Sequence, residues 1–155
     1  MNHKYTFLFA LVLAVSSAFG QVADNDAIKA TVRRETQSYF AADAKTWRDC
    51  WAELPESNNL FYSEQSHKVG QTSMAKPDLD AVANRKPSKM KIETSNELLR
   101  INSSTAFLQY DQHLTREADG AQDFSHQTRY LEKINGVWKI IHVGSVSYKY
   151  EAGTK

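Results

Sequence analysis

Residues 129–148 read RYLEKINGVWKIIHVGSVSY. Two runs of β-favouring residues flank Asn135-Gly136, a dipeptide strongly preferred in two-residue hairpin turns. Such a turn dictates register. It sets Ile134 opposite Val137, Lys133 opposite Trp138, Leu131 opposite Ile140 and Arg129 opposite His142. An arginine and a histidine are thereby expected side by side on one sheet face.

Working outward, three more β-type runs precede this hairpin's second strand: KIETSNELLRI, TAFLQYDQHLT and DFSHQTRYLEKI. Asn102-Ser103 and Asp119-Gly120 separate them. If Asp119-Gly120 is also a two-residue turn, Ala118 faces Ala121, Leu108 faces Leu131 and Tyr110 faces Arg129. Gln112 then faces Gln127, and His113 faces His126. Joined, the hairpins put Tyr110, Arg129 and His142 in one row. Leu108, Leu131, Trp138, Ile140, Gln112 and Gln127 share that face. It is apolar at one end and polar at the other, as the wall of a ligand pocket is. The opposite face would carry Phe107, Asp111, His113, Tyr130, Ile141 and Val143. That is too apolar for a wet surface and points to a partner.

The preceding segment is helical in its first half. Ile28, Val32, Glu35 or Thr36, and Tyr39 recur on one stripe from Asn25 to about Ala42, with Asp24 or Asp26 available as a cap. AKTWRDCWAE puts Trp47, Cys50 and Trp51 on one face of a second short helix, which Pro55 and PESNN end. LFYSE and HKVGQTSM read as strands, and KPDLDAVANRK as a short helix with Pro77 near its first turn. Helices before a mostly antiparallel sheet make the class α+β, with the first two helices covering one face.

The chain has 155 residues. Its start, MNHKYTFLFALVLAVSSAFG, has a polar head with Lys4, an apolar run from Tyr5 to Val15, and small residues at Ala18 and Gly20. This is the pattern of an export signal over 1–20, cut after Gly20. The apolar run is shorter than the roughly 20 residues needed to span a bilayer. One domain, residues 21–155, follows. Lys4 is the only charge in the signal, so 18 basic and 18 acidic residues remain. That balance points to no nucleic-acid or anionic-membrane surface. Cys50 is the sole cysteine, which excludes an intrachain disulfide; it reads as a small buried hydrophobe, with an intermolecular disulfide or a reactive thiol as the alternative.

Candidate site residues follow from the row. His142 is either a general base near neutrality or a pocket histidine satisfied by a neighbour. Arg129 either holds a ligand carboxylate through its planar fork or pairs with Glu35. Tyr110 supplies a hydroxyl beside them. Gln112, Gln127, Trp138 and Tyr39 complete the expected lining. His113, His126 and Asp111 make too small a set for a metal site. Neither a nucleophile triad, a phosphate loop nor a metal-binding motif appears in the sequence, and no cofactor is expected.

The pieces YFAADAKTWRDCW, TAFLQYDQHLT and RYLEKINGVWKIIHVGS, in that order, resemble the NTF2-like superfamily, in particular its SnoaL-like, DUF4440-type branch. The closing hairpin is the most specific part: a turn with Gly, then Trp, a basic residue, an aliphatic pair and His. The resemblance implies a curved antiparallel sheet wrapped around N-terminal helices, a cone with an internal pocket, and frequent dimerisation through the outer sheet face. It implies no single activity. Family members often carry a second histidine where this chain has Gly144. The carboxylate base with Tyr and acid of the ketosteroid-isomerase branch has no convincing match, although Tyr39 and Asp111 have suitable chemistry. The expected function is an exported small-molecule-binding protein taking a small hydrophobic or anionic molecule. The alternatives are an isomerase-, dehydratase- or cyclase-type enzyme using the same pocket, and a homodimeric interaction module with a filled cone.

Overall fold

Asn135 and Gly136 both take positive φ, 51° and 81°, as the mirror-image two-residue turn requires. The computed structural model describes residues 4–149, with side chains from Val22 onward. The expected export signal at 1–20 lies outside the residues whose side chains are described. Among the described residues, no helix is long and apolar enough to cross a membrane.

Three helices and six strands follow in the order α1 (Lys4–Phe40), α2 (Ala44–Asp49), β1 (Asn58–Ser63), β2 (Lys68–Ser73), α3 (Leu79–Ala83), β3 (Met90–Asn102), β4 (Thr105–Arg116), β5 (Gln122–Ile134) and β6 (Val137–Tyr148). The strands form one curved sheet, ordered β2-β1-β6-β5-β4-β3. The β3–β6 meander is antiparallel, whereas β1 joins β6 in parallel, with Asn58 beside His142 and Asn59 beside Val143. The class is α+β, as the element order implies.

The helical stripe is buried as read: Ile28 and Val32 enter the core, and Glu35 and Thr36 are buried beside the sheet. Trp47, Cys50 and Trp51 pack beneath them, joined by Leu131, Trp138 and Ile140. Burying one such large apolar side chain stabilises the fold by about 1.5–3 kcal/mol. The helix runs through its expected capping positions. Asp24 instead accepts from Lys133 Nζ at 2.6 Å and Trp138 Nε1 at 2.9 Å, tying α1 to the β5–β6 hairpin.

Two features correct the expected register. First, Asp119-Gly120 is not a two-residue turn. Arg116 donates its backbone N–H to Ala121, so four residues, 117–120, make the loop. Asp119 holds it closed, accepting from Arg116 Nη1 at 2.9 Å and the Ala121 N–H at 3.1 Å. Every β4–β5 pair therefore slides by two residues. Leu108 faces Arg129, Tyr110 faces Gln127, Gln112 faces Ser125, Ala106 faces Leu131, and His113 faces Phe124. A two-residue slide preserves faces, so the inner set survives. Second, β6 bulges opposite Tyr130 and Leu131: Leu131 faces Ile140, but Tyr130 faces His142. One extra residue reverses every face beyond it. His142 moves to the outer face, Val143 to the inner, and Arg129 now faces Val143. Ile141 is itself buried.

Candidate functional site

The inner faces of β5 and β6, with α1, α3 and the β1–β2 hairpin, enclose a cleft of about 430 Å³. Alternation along β5 directs Arg129, Gln127, Ser125 and Asp123 into it, and along β6 Val143 and Ser145. At about 3.3 Å per residue, Arg129 and Asp123 stand roughly 20 Å apart along the strand. The floor beyond Arg129 is closed by the apolar layer of Leu131, Ile140 and Ala106. Tyr39, Phe40, Trp47 and Phe61 supply aromatic wall, and Met74, Val82 and Leu114 aliphatic wall.

The polar residues form a chain. Arg129 is only 4% exposed. Its Nη1 donates to Gln127 Oε1 at 2.8 Å and to the Thr128 carbonyl at 3.1 Å. Gln127 Nε2 in turn donates to Ser125 Oγ and Ser145 Oγ, both at 2.7 Å. Glu35 Oε2 lies 3.7 Å from Arg129 Nη2, an ion pair without a hydrogen bond, while Glu35 Oε1 accepts from Trp47 Nε1 at 3.0 Å. Arg129 Nε and Asn59 Oδ1 are buried and have no hydrogen-bond partner among the described residues. At the other end, burial pushes the Asp123 carboxyl above its ordinary value, only partly offset by the Phe124 backbone N–H.

The predicted residues separate. Arg129, Gln112, Gln127 and Tyr39 line the cleft, together with Glu35, the partner expected for Arg129. Tyr110 lies beneath Arg129, its ring centroid 5.7 Å from the guanidinium carbon, but lines a smaller cavity between α1 and β3–β4. Burial pushes its phenol up. Trp138 is buried in the core and spends its N–H on Asp24. His142 is outside the cleft altogether: its Nδ1 sits 2.8 Å from Asn58 Oδ1. Asn58 Nδ2 donates to the Glu56 carbonyl, so that oxygen is left to accept and the histidine nitrogen donates. Burial first, and the field of Arg129 second, push His142 below its ordinary value. The polar pair expected at the centre of the site is therefore one residue, not two.

His126 does not meet His113 either. Its Nδ1 lies 2.8 Å from Asp111 Oδ1, and His113 stacks on Phe124 at 4.2 Å between centroids. Among the described residues, no group of three or more His, Cys, Asp or Glu could hold a metal ion. Sequence reasoning missed Asp123, Ser125 and Ser145. The first two were available from simple alternation back from Arg129; Ser145 was hidden by the bulge.

No family model and no curated protein sequence matches the chain. Solved structures do. A protein of unknown function with a cystatin-like fold from Nostoc punctiforme aligns over 84% of this chain and 95% of its own, at 14% identity and a TM-score of 0.64. An NTF2-like protein of unknown function from Shewanella baltica aligns over 83% and 97%, at 15% identity and a TM-score of 0.61. A nuclear transport factor 2-like superfamily protein from Salmonella enterica serovar Typhimurium aligns over 88% and 99%, at 18% identity and a TM-score of 0.60. With a mixed six-stranded sheet curved about α1 and this shared architecture along most of its length, the chain has the NTF2-like, cystatin-like fold.

Proposed function

We propose that the protein binds a small, mostly apolar molecule in the inner cleft, with the ligand's polar group against the Gln127–Arg129 row. The observation that carries this reading is a buried arginine, held in place by Gln127, at the closed end of an unfilled aromatic-walled cleft. Burying a guanidinium is costly, and its Nε has no hydrogen-bond partner among the described residues. A ligand acceptor group would offset part of that cost. Native mass spectrometry of the protein from its own source tests the reading. A co-purifying small molecule is expected, and it should be lost in Ser145→Phe, whose ring intrudes into the cleft beside Gln127. Retention of the same molecule by that variant would overturn the reading.

The second reading, acid–base catalysis in the same cleft, is favoured by one observation: Asp123 is a carboxyl raised by burial and facing the cleft. Such a group can hold a proton nearer neutrality than an exposed carboxylate can. His142 takes no part in it. Membership of the SnoaL-like branch rests on the closing hairpin motif and is likewise our reading, as is export through residues 1–20. For export, N-terminal analysis of the exported protein should find Gln21 first; an intact Met1 would refute it.

A further inference from the structure

The charges lining the cleft do not sum toward an anion site. Arg129 is its only lining cation among the described residues, and Glu35 already stands at ion-pair distance from it. Asp78 lies at the rim, where it caps α3 by accepting from the Ala81 N–H at 2.9 Å. Arg85 lines a neighbouring surface cleft instead, stacked 4.1 Å over the Tyr39 ring and donating to the Tyr39 hydroxyl. Asp123 differs from Asp78 in its burial, for Asp78 is exposed at the rim. Asp123 faces the cleft, half-buried, and among the described residues no side chain donates to its carboxylate. Across from it on the paired strand lies an apolar group, Leu114, and Phe40 of α1 lines the same cleft. Asn59 Oδ1, an acceptor, is also left without a donor in the cleft wall.

We infer that the cleft selects a cationic amphiphile: an apolar, ring-bearing amine whose body lies along the aromatic wall and whose ammonium meets Asp123. This deepens the reading of the cleft as a small-molecule site and rests on it, adding to the polar contact at the Gln127–Arg129 row a charged one at Asp123, toward the other end of the cleft. It reverses the charge that the sequence alone suggested for an ionic ligand. Three observations converge on it. The one lining cation already has a carboxylate, Glu35, at ion-pair distance. The lining charges with no cationic partner among the described residues are both carboxylates, Asp123 within the cleft and Asp78 at its rim. The wall between Arg129 and Asp123 is aromatic, and aromatic faces attract cations as well as apolar bodies. An ammonium beside Asp123 would also relieve the cost that burial imposes on that carboxylate. An anionic ligand would meet the opposite balance, with Glu35, Asp78 and Asp123 against a single guanidinium.

Isothermal titration calorimetry of the exported chain with three near-isosteric probes tests this: 4-phenylbutylamine, 4-phenylbutanol and 4-phenylbutanoate. The amine should bind about tenfold more tightly than the alcohol, the scale of one charge-assisted hydrogen bond, and the carboxylate more weakly than either. Asp123→Asn should erase the advantage of the amine and leave the alcohol unchanged. Asp123 sits at the open end of the cleft, so this variant should fold; its thermal midpoint is measured alongside. If amine and alcohol bind alike, the cleft remains a ligand site and the inference falls. The same holds if the carboxylate binds best, or if Asp123→Asn keeps the preference. If none of the three binds at millimolar concentration, the cleft reading itself fails and takes the inference with it.

Discussion

Glu35 and Arg129 approach to 3.7 Å with side chains 10% and 5% exposed. Removing one leaves the other charged and buried. Arg129→Ala should therefore destabilise the protein by about 3 kcal/mol, the low end for breaking a buried pair, because no hydrogen bond joins the two. A urea titration measures this. The double variant Glu35→Gln/Arg129→Gln should cost less than the two single changes together, since neither charge is then stranded. Strict additivity would show that the pair does not interact. His142 makes a second prediction at this scale. Its folded value is depressed from 6.5, so the folded state disfavours its charged form. The stability it contributes is present above that value and lost as pH falls through it. Between pH 7 and 5 the wild type should lose stability that His142→Gln does not lose. Parallel slopes for the two proteins would refute the assignment. Gly144 stands where β6 leaves no room for a side chain. A Cβ there would press on Thr128 Oγ1, which now donates to the Gly144 carbonyl. Gly144→Ala should cost about 1–3 kcal/mol through overpacking and be largely rescued by Thr128→Ala. Thermal melts of the single and double variants decide it.

At the scale of elements, the anchoring of α1 is the clearest case. Asp24 is lowered from its ordinary 3.8, chiefly by its hydrogen bond to Lys133 and then by that to Trp138. A depressed carboxylate contributes stability that is present above 3.8 and lost as pH falls through its folded value. Asp24→Asn should therefore lower the urea midpoint at pH 7, and the difference should shrink near pH 3. A constant difference would mean the pair is not ionic. The elements also mark how far the sequence could be read. The Asn135-Gly136 turn was legible because its chemistry is local: both residues tolerate positive φ. The α1 stripe was legible because Ile28 and Val32 repeat at helical spacing. The loop at 117–120 was misread because Asp119-Gly120 looks like a two-residue turn until Arg116 and Ala121 claim the Asp119 side chain. The bulge near Ile141 leaves no mark in composition at all. It depends on how β6 twists between β5 and the parallel β1, which only the folded chain determines.

For the whole molecule, the outer sheet face carries exposed apolar groups: Leu60, Phe107, Val146 and Tyr148 are 42%, 39%, 47% and 38% exposed. We propose that a second copy covers this face as a symmetric dimer. Val146→Glu should yield monomers by sedimentation velocity, because a buried unpaired charge is costly at an interface. Ile141, which the sequence placed on this face, is already buried within its own chain and would not report on assembly. A monomeric wild type at micromolar concentration would end the proposal. The site was less legible than the fold for a reason tied to this scale. Cleft residues come from all three helices and from β1, β2, β4, β5 and β6, and only the pairings within β4–β6 could be counted from turns.

The parallel docking of β1 on β6 brings together residues 84 apart in sequence, Asn58 and His142. The β5–β6 hairpin needs only a two-residue closure. Loop-closure cost rises with span, so the local hairpin is expected to form early and the docking of the β1–β2 pair on β6 late. The last piece to assemble is then the wall that carries Asn59, Phe61, Thr72 and Met74 into the cleft. Late-docking pieces tend to be the first to open, so amide exchange should be faster in β1–β2 than in β4–β6 of the empty protein. A molecule held in the cleft touches both groups of strands and binds only when they are closed. Occupancy should therefore slow exchange in β1–β2 far more than elsewhere, making ligand capture the closing step of folding itself.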